Sequence, residues 1–193
     1  MKLHHFFLKN MVSKSCIRLI ELYFKAYDQI SIEHITLGTV GFRVEESSVI
    51  TRKDLIKHIE NLGFNVIENE DDVLVEQIKT AAIELIYLAT NSNSLIRNSQ
   101  YISERVQENY EKISKTFSKV TGTTIEKYII LLKIEKVKMM LLDEDYSLSE
   151  ISYHLGYSSV QYLSRQFKSI TGYTVSEFKE LDSPSRTPLE NIV

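Results

Sequence analysis

"SLSEISYHLGYSSVQYLSRQFKSITG", residues 147–172, decides how this chain is read. Ser147 followed three residues later by Glu150 is a capping box, the reciprocal pair that opens a helix. Leu148, Ile151 and Leu155 recur at helical spacing and make the inward stripe of a short helix. Gly156 supplies the left-handed stop. Ser158 or Ser159 caps the next helix, in which Leu163, Phe167 and Ile170 fall at i, i+4, i+7 and face inward. Helix, tight glycine turn, helix is the form of a helix-turn-helix.

The chain writes this pattern twice. In "YISERVQENYEKISKTFSKVTG", residues 101–122, Ile102 and Val106 are the first stripe and Asn109 is the cap. Ile113, Phe117 and Val120 are expected to face inward. The endings "SKTFSKVTGTT" (residues 114–124) and "SRQFKSITGYT" (residues 164–174) agree at five of eleven positions, with Lys/Arg and Val/Ile exchanges at two more. The offset between the copies is 49 before the turn and 50 after it, so the second turn holds one extra residue.

If one face of each second helix is buried, the other is offered. In the first copy it carries Glu111, Ser114, Lys115 and Ser118; in the second, Gln161, Ser164, Arg165 and Lys168. A hydroxyl followed by a cation at matched places suits base edges, since Arg and Lys donate to guanine, Gln pairs with adenine and Ser adapts. Capped helix N-termini suit phosphates. Glu111 can accept from cytosine N4 but repels phosphate. A polar face at helical spacing is also what any solvated bundle shows; the duplication favours DNA. Between the copies, residues 124–142 read as one amphipathic helix marked by Ile125, Tyr128, Ile129, Leu132, Ile134 and Val137. Eighteen steps of ~1.5 Å make roughly 27 Å, short of the ~34–36 Å of a duplex turn. Either the DNA bends or one copy alone inserts fully.

Composition sets outer limits. Apolar residues make up 43% and charged residues 25%, as in an ordinary globular chain. Residues 1–94 hold 10 Lys+Arg against 13 Asp+Glu, and residues 95–193 hold 13 of each, so any DNA-facing charge must be concentrated on one face. No apolar run reaches the ~18 residues of a membrane helix, and the first residues lack a signal-peptide pattern. A single cysteine fits a reducing cytoplasm. There is no phosphate-binding glycine loop, no zinc constellation and no nucleophile motif, so no enzyme and no cofactor is expected.

The first seventy residues alternate short strands and helices. "HHFFLKN", "SIEHITLG", "VGFRV" and "FNVIEN" read as strands, with a hairpin turn at residues 38–41. "CIRLIELYFKAY" and "TRKDLIKHIENLG" read as helices, the second stopped by Gly63. The order βαββαβ is the ferredoxin-like split unit. From Asp71 the periods turn helical, with a long helix opened by Asp71 and Asp72 and ended by "NSNS", residues 91–94. The expectation is an α+β chain: a ferredoxin-like βαββαβ domain over residues 1–70, an all-α double helix-turn-helix domain over 71–181, and a disordered tail over 182–193.

Residues 73–181 resemble the DNA-binding domain of the AraC/XylS family of bacterial transcription regulators. The run "LSEISYHLGYSSVQYLSRQFKSITGYTVSEF" and the connecting "IEKVKMMLL" carry the likeness. It implies a cytoplasmic bacterial regulator that places recognition helices near residues 110–120 and 160–170 in the major groove of double-stranded DNA. By position it implies base reading by Glu111, Ser114 and Lys115, then by Gln161, Ser164 and Arg165, with Lys168 on the same face. RNA polymerase is an expected partner, and a homodimer is open. The alternative is an adaptor that keeps the regulator fold without DNA binding.

The N-terminal part resembles the heavy-metal-associated domain, in which Met-x-Cys-x-x-Cys lies between the first strand and helix. Here that place reads "MVSKSC", with Met11, Ser13 and Cys16. Two thiolates hold a soft ion, and one of them is replaced by serine. Three readings stay open for Cys16: a small apolar residue, a thiolate serving as a redox or metal sensor, or one ligand of an ion shared between two protomers. No metal site is expected apart from Cys16. His4 and His5 are adjacent, point to opposite faces of a strand and cannot chelate together.

Overall fold

Alternation at every second residue builds the first part of the chain. In the computed structural model, which describes residues 1–88, 98–143 and 146–193, β1 (Lys2–Lys9), β2 (Ile30–Thr36), β3 (Thr39–Val44) and β4 (Asn65–Ile67) form one antiparallel sheet in the order β2-β3-β1-β4. With α1 (Lys14–Phe24) after β1 and α2 (Arg52–Asn61) after β3, this is the expected βαββαβ order, an α+β arrangement. Phe6, Leu8, Val40, Phe42 and Val44 project from the sheet onto Ile20 and Phe24 of α1 and Leu55 and Ile59 of α2. The period of two puts Leu3 and Phe7 on the other face, 51% and 38% exposed. Met11 is buried in the same core.

Two local readings change, at the hairpin turn and at the start of the helix that follows β4. The hairpin turn is Leu37–Gly38, not residues 38–41: Thr36 pairs with Thr39, Gly38 takes φ +82°, and Gly41 lies within β3. A two-residue loop needs its positive φ at the turn itself. Thr51 caps α2 in a capping box with Asp54, and Gly63 stops it at φ +87°. The next helix, α3 (Glu70–Ile83), is opened by Asn69, whose Oδ1 accepts from the N–H groups of Asp71 (2.9 Å) and Asp72 (3.2 Å). The expected helix ending at residues 91–94 lies outside the described residues.

The chain divides into two compact units, Met1–Thr80 and Ala81–Val193. The boundary expected near Glu70 coincides with the start of α3, and the division falls inside that helix. After a π-helical segment at Glu84–Leu88, the second unit continues with α4 (Asn98–Val106), α5 (Tyr110–Thr121), α6 (Ile125–Leu141), α7 (Leu148–His154), α8 (Val160–Thr171) and α9 (Val175–Lys179).

The duplicated ending has a duplicated cause. Thr121 Oγ1 donates to Phe117 O (2.7 Å) and Thr171 Oγ1 to Phe167 O (2.8 Å), so each threonine hydroxyl turns back onto the carbonyl four residues earlier in the last turn. Gly122 and Gly172 follow in the left-handed conformation, φ +71° and +81°. Thr124 and Thr174 then cap α6 and α9. Thr-Gly-x-Thr is a helix stop joined to a helix start.

The connecting helix differs from the single stripe expected. Ile125, Tyr128, Ile129 and Leu132 are buried in its first half, where the Tyr128 ring meets Phe117 at 5.5 Å. Ile134, Val137, Met140 and Leu141 are buried in its second half, in the cluster with Ile151, Leu155, Leu163, Phe167 and Phe178. At 100° per residue the two sets are centred about 140° apart around the helix. One helix serves two cores, so its apolar face changes side midway.

Val120 and Ile170, expected inward, are 41% and 40% exposed. Their angle around the helix lies within about 20° of Ile113 and Leu163, but they sit on the last turn, where the neighbouring residues are exposed as well. The tail expected to be disordered is docked at one point. Thr187 N–H donates to Glu135 Oε2 (2.9 Å), and Leu189–Asn191 form a 3-10 turn. Glu135 is a buried carboxylate on α6, also bound by Lys138 Nζ at 2.6 Å, and it gathers the donors that burial demands.

Candidate nucleic-acid interface

Each candidate reading helix is fixed by a cap, a buried pair and a glycine stop. Asn109 Oδ1 accepts from Glu111 N–H (2.7 Å) to open α5, and Ile113 and Phe117 anchor it. Ser159 Oγ accepts from Tyr162 N–H (3.1 Å) to open α8, and Leu163 and Phe167 anchor it. With those pairs inward, helical geometry leaves the i, i+3, i+4, i+7 rows outward. Glu111 and Lys115 on α5 are exposed, with Ser114 and Ser118 half-buried. Gln161, Arg165 and Lys168 on α8 are exposed, with Ser164 half-buried. Each set therefore forms a single surface row.

The rows are not equivalent. Ser164 Oγ donates to Val160 O (2.9 Å), so its proton is committed to the helix and its lone pairs face outward. Arg165 folds its Nε toward Gln161 O at 3.4 Å, leaving its terminal nitrogens at the surface. At the start of α5 the surroundings are acidic. Glu108 is ion-paired with Lys112 (2.5 Å), Glu111 stands beside it, and Tyr110 Oη donates to Glu126 Oε1 (2.5 Å). Burial and that carboxylate push the Tyr110 hydroxyl up to about 12, and the same hydrogen bond holds the Glu126 carboxyl below the ordinary glutamate range.

Between the starts of α5 and α8 runs a groove lined by Tyr110, Glu126, Lys133, Tyr157, Tyr162 and Gln166. Lys133 Nζ donates to Leu155 O (2.8 Å), and burial lowers its pKa. Tyr157 Oη donates to Gln166 Oε1 (2.8 Å). Tyr162, 48% exposed one residue after Gln161, is a surface aromatic on the reading helix that the periodicity argument passed over. Its ring packs beside Tyr157, centres 6.0 Å apart, and aromatic side chains of this kind are enriched at interfaces.

Cys16 lies elsewhere, in the first unit. Its side chain packs half-buried against the sheet core, with Ser13 Oγ 3.6 Å from Sγ. Among the described residues no three or more His, Cys, Asp or Glu side chains gather to hold an ion. One thiol and one hydroxyl do not fit a soft-ion chelate.

Residues 102–180 match a family described as a helix-turn-helix domain. An uncharacterized HTH-type transcriptional regulator in the cgkA 5′ region of Pseudoalteromonas carrageenovora is 31% identical over 96 residues, covering 49% of this chain and 55% of that protein. The xylose operon regulatory protein of Escherichia coli K12 is 34% identical over 71 residues, covering 37% of this chain and 18% of that protein. The chain thus spans about half, and under a fifth, of the lengths of these curated relatives. The crystal structure of the transcriptional regulator CdpR from Pseudomonas aeruginosa aligns with a TM-score of 0.44 at 12% identity, over 90% of this chain and 54% of that one. Among the described residues no helix is long and apolar enough to cross a membrane. The matched span opens within α4 and closes after α9, so the α4–α5 turn, where Gln107 takes the positive φ, and the α7–α8 turn at Gly156 both lie in a helix-turn-helix domain, residues 102–180.

Proposed function

We propose that this chain is a sequence-specific, AraC/XylS-type regulator of transcription that reads double-stranded DNA mainly through α8. The observation that carries the reading is the matched pair of surface rows, Glu111-Ser114-Lys115-Ser118 and Gln161-Ser164-Arg165-Lys168, presented by helices with the same caps, anchors and stops. Arg165 and Gln161 take base edges in the major groove, with guanine and adenine as their respective partners. Lys168 and the capped N-terminus of α8 take phosphates. Seventeen residues of α6 span ~25 Å. The DNA therefore bends if α5 also inserts, or α5 rests on the backbone. Such a protein binds rather than catalyses and works in the cytoplasm. RNA polymerase is its partner, and its first unit is free to pair with a second copy.

The test is selection of bound duplexes from a random pool at physiological salt, followed by a salt titration on the winning sequence. A motif with affinity falling steeply as salt rises supports the reading. The acidic start of α5 favours a second reading, an adaptor that keeps the fold and binds another protein. Absence of any enriched motif, with a partner whose binding is nearly indifferent to salt, would replace the first reading by the second.

A further inference from the structure

His5 cannot chelate with His4, because β1 turns their side chains to opposite faces. His4 leans on Phe6, ring centres 6.5 Å apart, on the core side. The tertiary structure gives His5 a different neighbour. Register puts His5 opposite Gly41, and Gly41 opposite His34, so the two histidines flank one glycine across three strands. A register irregularity between Ile32 and His34 re-aims β2 at this point. Gly41 does not take a positive φ, so the backbone has no need of glycine there. The space does: a Cβ on Gly41 would collide with Cε1 and Nδ1 of the His34 ring. The missing side chain lets His34 lie across the middle strand and reach His5, ring centres 4.9 Å apart with planes at 29°. Both residues are exposed.

We propose that His5 and His34 form a two-imidazole site for a divalent transition-metal ion such as Cu²⁺ or Zn²⁺, on the open face of the first unit's sheet. Imidazole suits these ions. An ion ~2.1 Å from one nitrogen of each ring lies ~3.2 Å from each ring centre. Centres 4.9 Å apart then subtend about 100° at the ion, between octahedral and tetrahedral angles. The rings approach the required orientation by turning about Cβ–Cγ, a soft torsion at an exposed position. Water completes the coordination, since no third protein donor gathers there among the described residues. The neighbouring Glu33 carboxylate is held by Arg43 (2.6 Å), which leaves the site without a bound carboxylate and its affinity moderate. The site uses neither Cys16 nor the helix-turn-helix domain.

The test is titration of the full-length protein with Cu²⁺, followed by electron paramagnetic resonance, and with Zn²⁺ by calorimetry. One ion per chain is expected, with hyperfine structure from imidazole nitrogen. His5→Ala and His34→Ala should each weaken binding at least about tenfold, while His4→Ala and Cys16→Ser leave it unchanged. His5→Gln and His34→Gln repeat the comparison with side chains of similar bulk, and melting curves matched to the parent establish that the fold is intact. No uptake at millimolar ion, uptake unchanged by both histidine substitutions, or uptake lost only in Cys16→Ser would each overturn the proposal.

Discussion

The two helix-turn-helix copies fold alike and offer different chemistry. Both second helices begin at a side-chain cap, bury an isoleucine or leucine with a phenylalanine, and end in Thr-Gly-x-Thr. Their outward rows part at the first position: Glu111 on α5, with Glu108 just before that helix and Glu126 of α6 bonded to Tyr110, against Gln161 on α8 with Arg165 and Lys168 following. Inward residues answer to packing, which both copies share. Outward residues answer to whatever is bound, and a carboxylate at the rim costs affinity for phosphate. The comparison separates what the fold requires from what the partner requires.

It breaks most readily in the core. Phe117→Ala and Phe167→Ala should each lower folding stability by ~3–5 kcal/mol, because both rings are fully buried and truncation leaves a cavity. Denaturant unfolding measures this, and a large difference between the two would show that the copies are not packed equivalently. Binding should split them. Arg165→Ala is expected to weaken specific DNA binding by ~1–3 kcal/mol and blur one base pair. Lys115→Ala, next to the acidic start of α5, should cost under about 1 kcal/mol. Equal losses in a quantitative mobility-shift titration would mean that both helices read bases.

Smaller effects sharpen the picture. Thr121→Val and Thr171→Val each remove a hydroxyl bond to the carbonyl four residues earlier, at about 1 kcal/mol of stability apiece. Glu111→Gln should tighten binding by a few tenths of a kcal/mol to ~1, through loss of repulsion, with the gain shrinking as salt screens the charge. The smallest effect is in acid. The Glu126 carboxyl is depressed in the folded state, first by the Tyr110 hydroxyl. Its contribution is therefore complete above the unfolded glutamate pKa and is lost as pH falls through the lower folded value. Tyr110→Phe should reduce the slope of melting temperature against pH in that window and leave the neutral-pH slope unchanged.

The local devices were legible from the sequence. The capping box at Ser147 and Glu150, the stops at Gly63, Gly122, Gly156 and Gly172, and the inward pairs Ile113/Phe117 and Leu163/Phe167 depend on neighbours within a turn or two. The outward rows followed from the same period, which is why Glu111 through Lys168 are found on the surfaces expected of them. The strand order was also within reach, since βαββαβ leaves few ways to cover one face of a sheet.

What failed to show in the sequence depended on distant partners. Val120 and Ile170 have the right angle for burial, but only tertiary contacts decide how far along the helix burial extends. The face change in α6 required two cores to exist. Thr187 is held because Glu135, 52 residues away, is buried and needs a donor. His5 and His34 lie 29 residues apart in the sequence, and Gly41 gave no sign of its use until the register placed it between them. Short-range stereochemistry fixed the helices, their caps and their outward faces. Packing and strand register, which join residues that the chain keeps apart, decided where burial ends and which side chains share a surface.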